Sequence, residues 1–136
     1  MFVNLYLRMN IEVLSNSIIG AAINVHKELG QGLLESIYED SLCHELKILG
    51  IEYEKQKHLP FIYKGVKMKS YFRIDLLIEN EIIVEIKSTE HLIEAHSAQL
   101  LSYLKISNKR LGLLLNFNVP LLKNGIKRIA NDYYKP

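Results

Sequence analysis

The chain has 136 residues, 49% of them hydrophobic, with a formal net charge of +2 and a pI near 8.6. This length and apolar content fit one domain with a genuine core, and the mild charge excludes a protein that binds nucleic acid by bulk electrostatics alone. The single cysteine, Cys43, excludes an internal disulfide and a cysteine-rich zinc site.

The first ten residues differ in pattern from the rest of the chain. They are partly apolar, but Asn4 and Arg8 interrupt them, the stretch is too short to span a bilayer, and no small-residue cleavage site comes after it. We therefore expect an N-terminal arm at 1–10, one domain at 11–136, no membrane association and a reducing, cytoplasmic setting.

Two helices are predicted next. Apolar residues step by three or four positions from Ile11 to Leu29, and Gly30 is suited to end that helix. Gly30 and Gly32 predict a bend. A second apolar stripe then runs over 34–49 and stops at Gly50, so a second helix is expected there.

The apolar period then changes to that of strands. Residues 51–58 predict a strand that Pro60 breaks, and 61–70 predict a hairpin about Lys64 and Gly65. Two further apolar runs, 71–78 and 81–87, predict a pair of strands joined by a turn at 79–80.

Helical spacing returns at Thr89 and continues to Leu104, and this predicts a third helix. Residues 110–117 predict a strand, Pro120 ends the following loop, and a last element at 126–130 is compatible with either strand or helix. This order predicts an α/β fold, a mixed β-sheet flanked by helices in a single domain.

Asp75, Glu85 and Lys87 form the pattern Asp-x9-Glu-x-Lys across the paired strands. Buried strands rarely keep unpaired charges, so the three charges need an explanation. Glu85 and Lys87 are two apart and share a face. A three-residue loop centred on Asn80 would place Asp75 opposite Glu85, whereas a two-residue loop would place it opposite Val84.

The three-residue loop also predicts what lies on the other side of the sheet. In that register five apolar side chains fill the opposite face and pack under a layer of helices. These residues are Ile74, Leu76, Ile82, Val84 and Ile86.

Two carboxylates on adjacent strands offer the hard oxygen ligands that Mg²⁺ or Mn²⁺ prefers. A metal there would activate water and polarise a phosphate, and a lysine beside it would orient the water or stabilise charge. These residue types thus indicate a metal-dependent nuclease site. The alternative for Glu85 and Lys87 is a surface salt bridge, which contributes little to stability.

Three other residues are candidates for the same site. Gln99 and Tyr103 are one helical turn apart and could reach the acids or a phosphate, although core packing explains the pair equally well. Glu35 begins the second helix, where the helix dipole alone favours an acidic residue. None of the histidines has convincing ligand spacing, so we assign no histidine to a metal.

The residues His26, Gly30, Gly32, Glu35 and Tyr38 form the motif His-x3-Gly-x-Gly-x2-Glu-x2-Tyr. With the Asp and Glu-x-Lys residues of the strands and the Asn-Phe-Asn-Val-Pro run at 116–120, the chain resembles the GxxExxY family of the PD-(D/E)XK nuclease superfamily. The Gln-x3-Tyr pair resembles that of the RecB-like branch. We expect a structural role for His26, and a packed ring with a bonded hydroxyl for Tyr38.

The resemblance implies a restriction-endonuclease-like fold and assigns roles to the site. By it Asp75 and Glu85 bind metal, Glu35 is the helix glutamate that joins them directly or through water, and Lys87 is the catalytic lysine. Gln99 and Tyr103 would position the lysine or the scissile phosphate.

The leading hypothesis is a Mg²⁺-dependent phosphodiesterase that acts on DNA, with RNA less favoured. An alternative is a nucleic-acid- or protein-binding module that keeps the fold without turnover, since fold does not establish rate. A sugar hydrolase with paired carboxylates ranks below both because it leaves the lysine and the Gln-Tyr pair without a role. A homodimer is compatible with the sequence, which does not fix the oligomer.

Basic residues cluster in two segments, one that leads into Asp75 and one that follows the third helix. Either cluster could contact phosphates, although alternating lysines also suit a solvated face or a protected edge strand. One cluster is Lys55, Lys57, Lys64, Lys67, Lys69 and Arg73, and the other is Lys105, Lys109, Arg110, Lys123, Lys127 and Arg128.

Overall fold

A computed structural model describes residues 10–136. Three α-helices are present in this range: α1 (Ile11–Leu29), α2 (Glu35–Ile48) and α3 (Glu94–Ser107). The strands are β1 (Tyr53–Tyr63), β2 (Val66–Ile78), β3 (Ile82–Lys87), β4 (Leu111–Asn116) and β5 (Ile126–Ala130). Of the predicted arm, only Asn10 lies within the described residues.

Helix α1 begins and ends where the sequence predicts. The side chain of Asn10 accepts hydrogen bonds from the backbone N–H groups of Glu12 (3.1 Å) and Val13 (3.2 Å), which caps the first turn. At the other end Gly30 has φ 71°, and its N–H donates to the carbonyl of His26 at 2.8 Å. A residue with a Cβ atom adopts that backbone region at a cost, so glycine suits this C-cap.

The strands form one mixed sheet in the order β1-β2-β3-β4-β5. Strands β3 and β4 are parallel and are connected through α3, while the other neighbouring pairs are antiparallel. Helices α1 and α2 pack against one face of the sheet and α3 against the other. The predicted α/β class, with helices on both faces of a mixed sheet, is confirmed.

The β1–β2 hairpin turns at Lys64 (φ 50°) and Gly65 (φ 80°), as predicted. The prediction that Pro60 breaks the first strand is wrong, because β1 continues through it and Pro60 pairs with Tyr71. Proline is tolerated here because β1 is an edge strand and the pairing register shifts between Pro60 and Ile62, so fewer ladder hydrogen bonds are lost.

Helix α3 starts later than predicted, at Glu94 and not at Thr89. The side chain of Asn116, at the end of β4, accepts from the N–H of Thr89 (3.1 Å) and donates to its carbonyl (3.0 Å). These two bonds hold Thr89 beside the sheet, so the chain cannot begin a helix until it has passed that point.

Among residues 10–136 no helix is long and apolar enough to cross a bilayer.

The last element, which the sequence left open, is a strand. β5 pairs with β4 over Leu111–Leu115 and comes after a short 3₁₀ turn at Leu122–Gly125. It forms the edge of the sheet opposite to β1.

Candidate functional site

The site lies where β2 separates from β3. The two strands pair as Leu76 with Val84 and Ile78 with Ile82, so the connection is the three-residue loop centred on Asn80. The predicted register is therefore confirmed. The same register places Asp75 opposite Glu85, one position beyond the pair of Leu76 and Val84.

Asp75 and Glu85 bind each other's strand with their side chains. The backbone N–H of Asp75 donates to Glu85 Oε2 at 2.7 Å, and the N–H of Ile86 donates to Asp75 Oδ2 at 2.7 Å. Carboxylates thus take the place of backbone carbonyls at the point where the ladder ends. The arrangement brings two acids together between the strands.

Where the backbone pairing of β2 with β3 ends, the residues of β2 on either side of Asp75 no longer lie on the same face of the sheet. Leu76 packs with α1 and α2 as predicted, but Ile74 packs with Leu77 and Ile83 on the α3 side. The prediction for Ile74 is wrong because the alternation of faces is interrupted at Asp75. On β1, the residue between the partners of Ile74 and Leu76 is Gln56, whose φ of 51° shows the same interruption.

A third acid, which sequence reasoning missed, completes the cluster. Glu39 of α2 is only 6% exposed. The side-chain amide of Gln56 donates to Glu39 Oε1 at 2.6 Å and to Asp75 Oδ1 at 3.4 Å, and so links the helix to the strand acid. The signal was present, since Glu39 shares the buried helix face with Tyr38, Leu42 and other core residues.

Glu35 lies one turn before Glu39, at the first position of α2, and is exposed. It nevertheless lines a small polar cleft of about 220 Å³ that opens onto Asp75. The residues that line this cleft are Glu35, Ser36, Glu39, Gln56, Arg73, Asp75 and Ile86.

Lys87 and Tyr103 interact electrostatically with the strand acids. Lys87 is half-buried at the end of β3, and its charge favours ionisation of Glu85. Tyr103 is buried on α3, and the charges of Glu85 and Asp75 act on its hydroxyl. Gln99 is exposed one turn earlier on the same helix.

Burial and proximity dominate the electrostatics of the cluster. Burial, and next the charge of Asp75, raise the pKa of Glu85 from 4.5 to about 8. Burial also raises the pKa of Glu39, despite the opposing hydrogen bond from Gln56. The pKa of Tyr103 is raised, first by burial and then by the charge of Glu85. Burial therefore disfavours ionisation of these acids in the metal-free site, because their charges would be poorly solvated.

The remaining motif residues hold the site elements in place. The hydroxyl of Tyr38 donates to the carbonyl of Gly30 at 2.7 Å and accepts from the N–H of Leu33 at 3.2 Å, and its ring stacks on Phe117 at 4.4 Å. Ser88 Oγ donates to the carbonyl of Leu33 at 2.6 Å. These contacts fix the bend that carries Glu35 against the end of β3, as expected for a packed tyrosine.

His26 is also structural, as expected. Its Nε2 lies 2.8 Å from the carbonyl oxygen of Val119, and its ring lies 6.3 Å from that of Phe117. The backbone N–H of Phe117 donates to the carbonyl of Lys87 at 2.9 Å. The run at 116–120 thus anchors both α1 and the backbone of Lys87.

The donor set fits a hard divalent cation, because Asp75, Glu85 and the helix glutamates supply only oxygen ligands and excess negative charge. One oxygen of Asp75 and one of Glu85 accept from backbone N–H groups in this conformation. Within residues 10–136, no three His, Cys, Asp or Glu side chains already form a compact metal-binding group.

Comparison with known families gives one result. A family model described as the PD-(D/E)XK nuclease superfamily matches residues 12–129. Searches of the curated proteins and of the solved structures return no significant match. The matched range includes the helix glutamates, the strand acids, Lys87 and both residues of the Gln-x3-Tyr pair.

Proposed function

The chain belongs to the PD-(D/E)XK nuclease superfamily, and from that premise we propose that it hydrolyses phosphodiester bonds in DNA with the help of Mg²⁺ or Mn²⁺. The observation that carries the proposal is the reciprocal bonding of Asp75 and Glu85 across two strands, at 2.7 Å in each direction. It keeps two carboxylates together where burial makes their joint ionisation costly. A bound cation would offset that cost.

Asp75 and Glu85 would hold the ion, and Glu35 would join them directly or through water. A divalent ion held there would polarise a phosphate and lower the pKa of a bound water. Buried Glu39, tied to Asp75 through Gln56, supports the same cation site from the helix side.

Lys87 would orient the attacking water and stabilise negative charge on the phosphorane. In the reaction the water oxygen bonds to phosphorus, the bond from phosphorus to the leaving oxygen breaks, and a proton passes from the water to the leaving oxygen. Support for this role comes from the place of Lys87, two residues after Glu85 on β3 and fixed by the bond from Phe117 to its carbonyl.

Gln99 and Tyr103 would position Lys87 or the scissile phosphate from α3. Tyr103 has the stronger support, because it is buried and the charges of both strand acids act on it. Gln99 is exposed one turn earlier on α3, so it would act on a bound substrate and not on the acids.

The proposal is tested by incubating purified protein with labelled duplex DNA, single-stranded DNA and RNA in Mg²⁺, in Mn²⁺ and in EDTA. We expect metal-dependent products from DNA, and none from the Asp75→Asn variant. A well-folded wild-type protein that yields no product from any substrate in either metal would replace the nuclease by a binding module. Gel filtration of the same sample tests whether the chain forms a homodimer, and fractionation of cells tests the expected cytoplasmic location.

A further inference from the structure

The β1–β2 hairpin extends well beyond the rest of the sheet. β3 pairs only with Leu76–Ile78 of β2, so the outer part of β2, from Val66 to Ile74, is paired with β1 alone. Asp75 is nine positions after Val66, which at the rise of a strand is about 30 Å. The result is a two-stranded arm that starts at the acidic cluster and points away from it.

This arm carries charge of one sign. Between positions 57 and 73 there are five lysine or arginine residues and no aspartate or glutamate, although the whole chain has a net charge of only +2. The rest of the chain is therefore net negative. The positive charge of the protein is concentrated on the segment that leads into the candidate site.

The cations of β2 stand at alternate positions and are exposed, and the pairing with β1 shifts register between Lys67 and Tyr71. Lys67, Lys69, Tyr71 and Arg73 alternate along the strand and are all exposed. The opposite face carries Phe72, which packs edge-on to Phe61 at 5.3 Å and near Tyr103 at 5.8 Å. We call the exposed set of Lys67, Lys69, Tyr71 and Arg73 the basic row.

The basic row ends at the cleft. Arg73 lines the cleft together with Asp75. Tyr71 lies two positions before Arg73, is 58% exposed and stacks on His58 with ring centroids 4.3 Å apart. Its ring therefore stands between Lys69 and Arg73 in the strand. Lys67 and Lys69 are two positions apart and Arg73 is four positions further on, so the row offers three cations and one aromatic ring on the strand that leads to the acids.

We propose that the basic row binds the phosphate backbone of the DNA strand that is cut, and so guides its scissile phosphate to Asp75. This inference rests on the proposed nuclease function and adds the surface that holds the substrate. Lysine and arginine neutralise phosphates and release counterions, so a row of this kind contributes affinity without reading sequence. The exposed tyrosine adds a surface on which a sugar or base can stack.

The test compares two double variants with identical chemical changes. Lys67→Gln/Lys69→Gln removes two cations from the basic row, and Lys123→Gln/Lys127→Gln removes two exposed lysines, one in edge strand β5 and one in the 3₁₀ turn before it. Both are made in the Asp75→Asn background, which prevents cleavage. Binding of labelled duplex DNA is followed by fluorescence anisotropy in EDTA across a series of salt concentrations, and a thermal melt verifies the fold of each variant.

We expect the row variant to bind at least about tenfold more weakly and to lose about two units from the slope of log K against log salt. The control variant should match its parent in both. Equal losses in the two variants, or no loss in either, would overturn the basic row as the binding surface. Cleavage by the same lysine variants with Asp75 restored is scored separately. If the row variant loses DNA binding but the protein with Asp75 restored cleaves no DNA, only the nuclease function is contradicted. If that protein cleaves DNA equally well with and without the two lysines of the row, only the basic row is contradicted.

Discussion

Asp75 and Glu85 each accept a hydrogen bond from the backbone of the other's strand, at 2.7 Å in both directions. The bond to Glu85 comes from the N–H of Asp75 itself, and the bond to Asp75 comes from the residue after Glu85. The backbone that positions one acid thus positions the other. The two carboxylates cannot move apart without breaking hydrogen bonds at the point where the strands separate.

The raised pKa of Glu85 predicts how stability depends on pH in the metal-free protein. The folded state keeps the proton of Glu85 up to about pH 8, whereas the unfolded chain loses it near pH 4.5. The folded state then binds more protons between these values, so the free energy of unfolding falls as pH rises from 4.5 to 8, by up to a few kcal/mol. Urea unfolding of wild type and Glu85→Gln at several pH values measures this.

Glu85→Gln has no proton to lose at this position. We therefore expect the stability difference between the variant and wild type to grow in favour of the variant from pH 5 to pH 8. A difference that stays constant over this range would show that Glu85 ionises normally in the folded protein.

Glu35→Gln tests the helix glutamate. Because Glu35 is exposed at the first turn of α2, the change should leave the melting temperature within about 1–2 °C of wild type. Loss of a group that supports the metal should lower cleavage about 10–100-fold. Steady-state cleavage rates at several Mn²⁺ concentrations provide the measurement. Glu39→Gln is the comparison, and a large loss there with none at Glu35 would transfer the role to the buried glutamate.

Lys87→Met tests the lysine as a group that acts in the transition state. Methionine keeps much of the side-chain length without the charge, so metal binding should persist while the cleavage rate falls about 10²–10³-fold. Single-turnover cleavage together with Mn²⁺ titration separates the two effects. Lys123→Met serves as the control because Lys123 is an exposed lysine in the 3₁₀ turn before β5 and has no assigned role in the site. Full activity in Lys87→Met would remove the lysine from the mechanism.

Tyr38→Phe tests the structural role of the motif tyrosine. The change removes the hydroxyl that bonds both Gly30 and Leu33, and should lower the free energy of unfolding by about 1–2 kcal/mol. Well below the melting temperature the variant should still cleave DNA within a fewfold of wild type. Tyr133→Phe, at an exposed residue, should change neither quantity. Abolished cleavage with unchanged stability would instead make Tyr38 catalytic.

The paired strands could be predicted from sequence because side-chain parity and loop length together allow few registers. A three-residue loop was required for Asp75 to oppose Glu85, and the structure has that loop. The helix ends at Gly30 and Gly50 could also be predicted from sequence, because glycine is favoured at the positive φ with which a helix often ends, and both glycines adopt positive φ.

What sequence could not supply depends on contacts between distant segments. The position of Ile74 results from carboxylates that replace ladder bonds, which strict alternation does not anticipate. The start of α3 depends on Asn116 bonding to Thr89, 27 residues away. Glu39 belongs to the site because the fold brings α2 to Gln56, which is 17 residues away in sequence. The sequence does show that Glu39 is an acid on the apolar face of a helix.

The most direct test of the metal site is calorimetric titration of Mn²⁺ into wild type and Asp75→Asn at pH 8, with duplex DNA cleavage followed in the same samples. We expect Mn²⁺ binding and cleavage in wild type, the loss of both in the variant, and similar melting temperatures for the two metal-free proteins. Mn²⁺ binding of equal strength in the two proteins, or cleavage that survives in Asp75→Asn, would contradict a metal site built on Asp75 and Glu85.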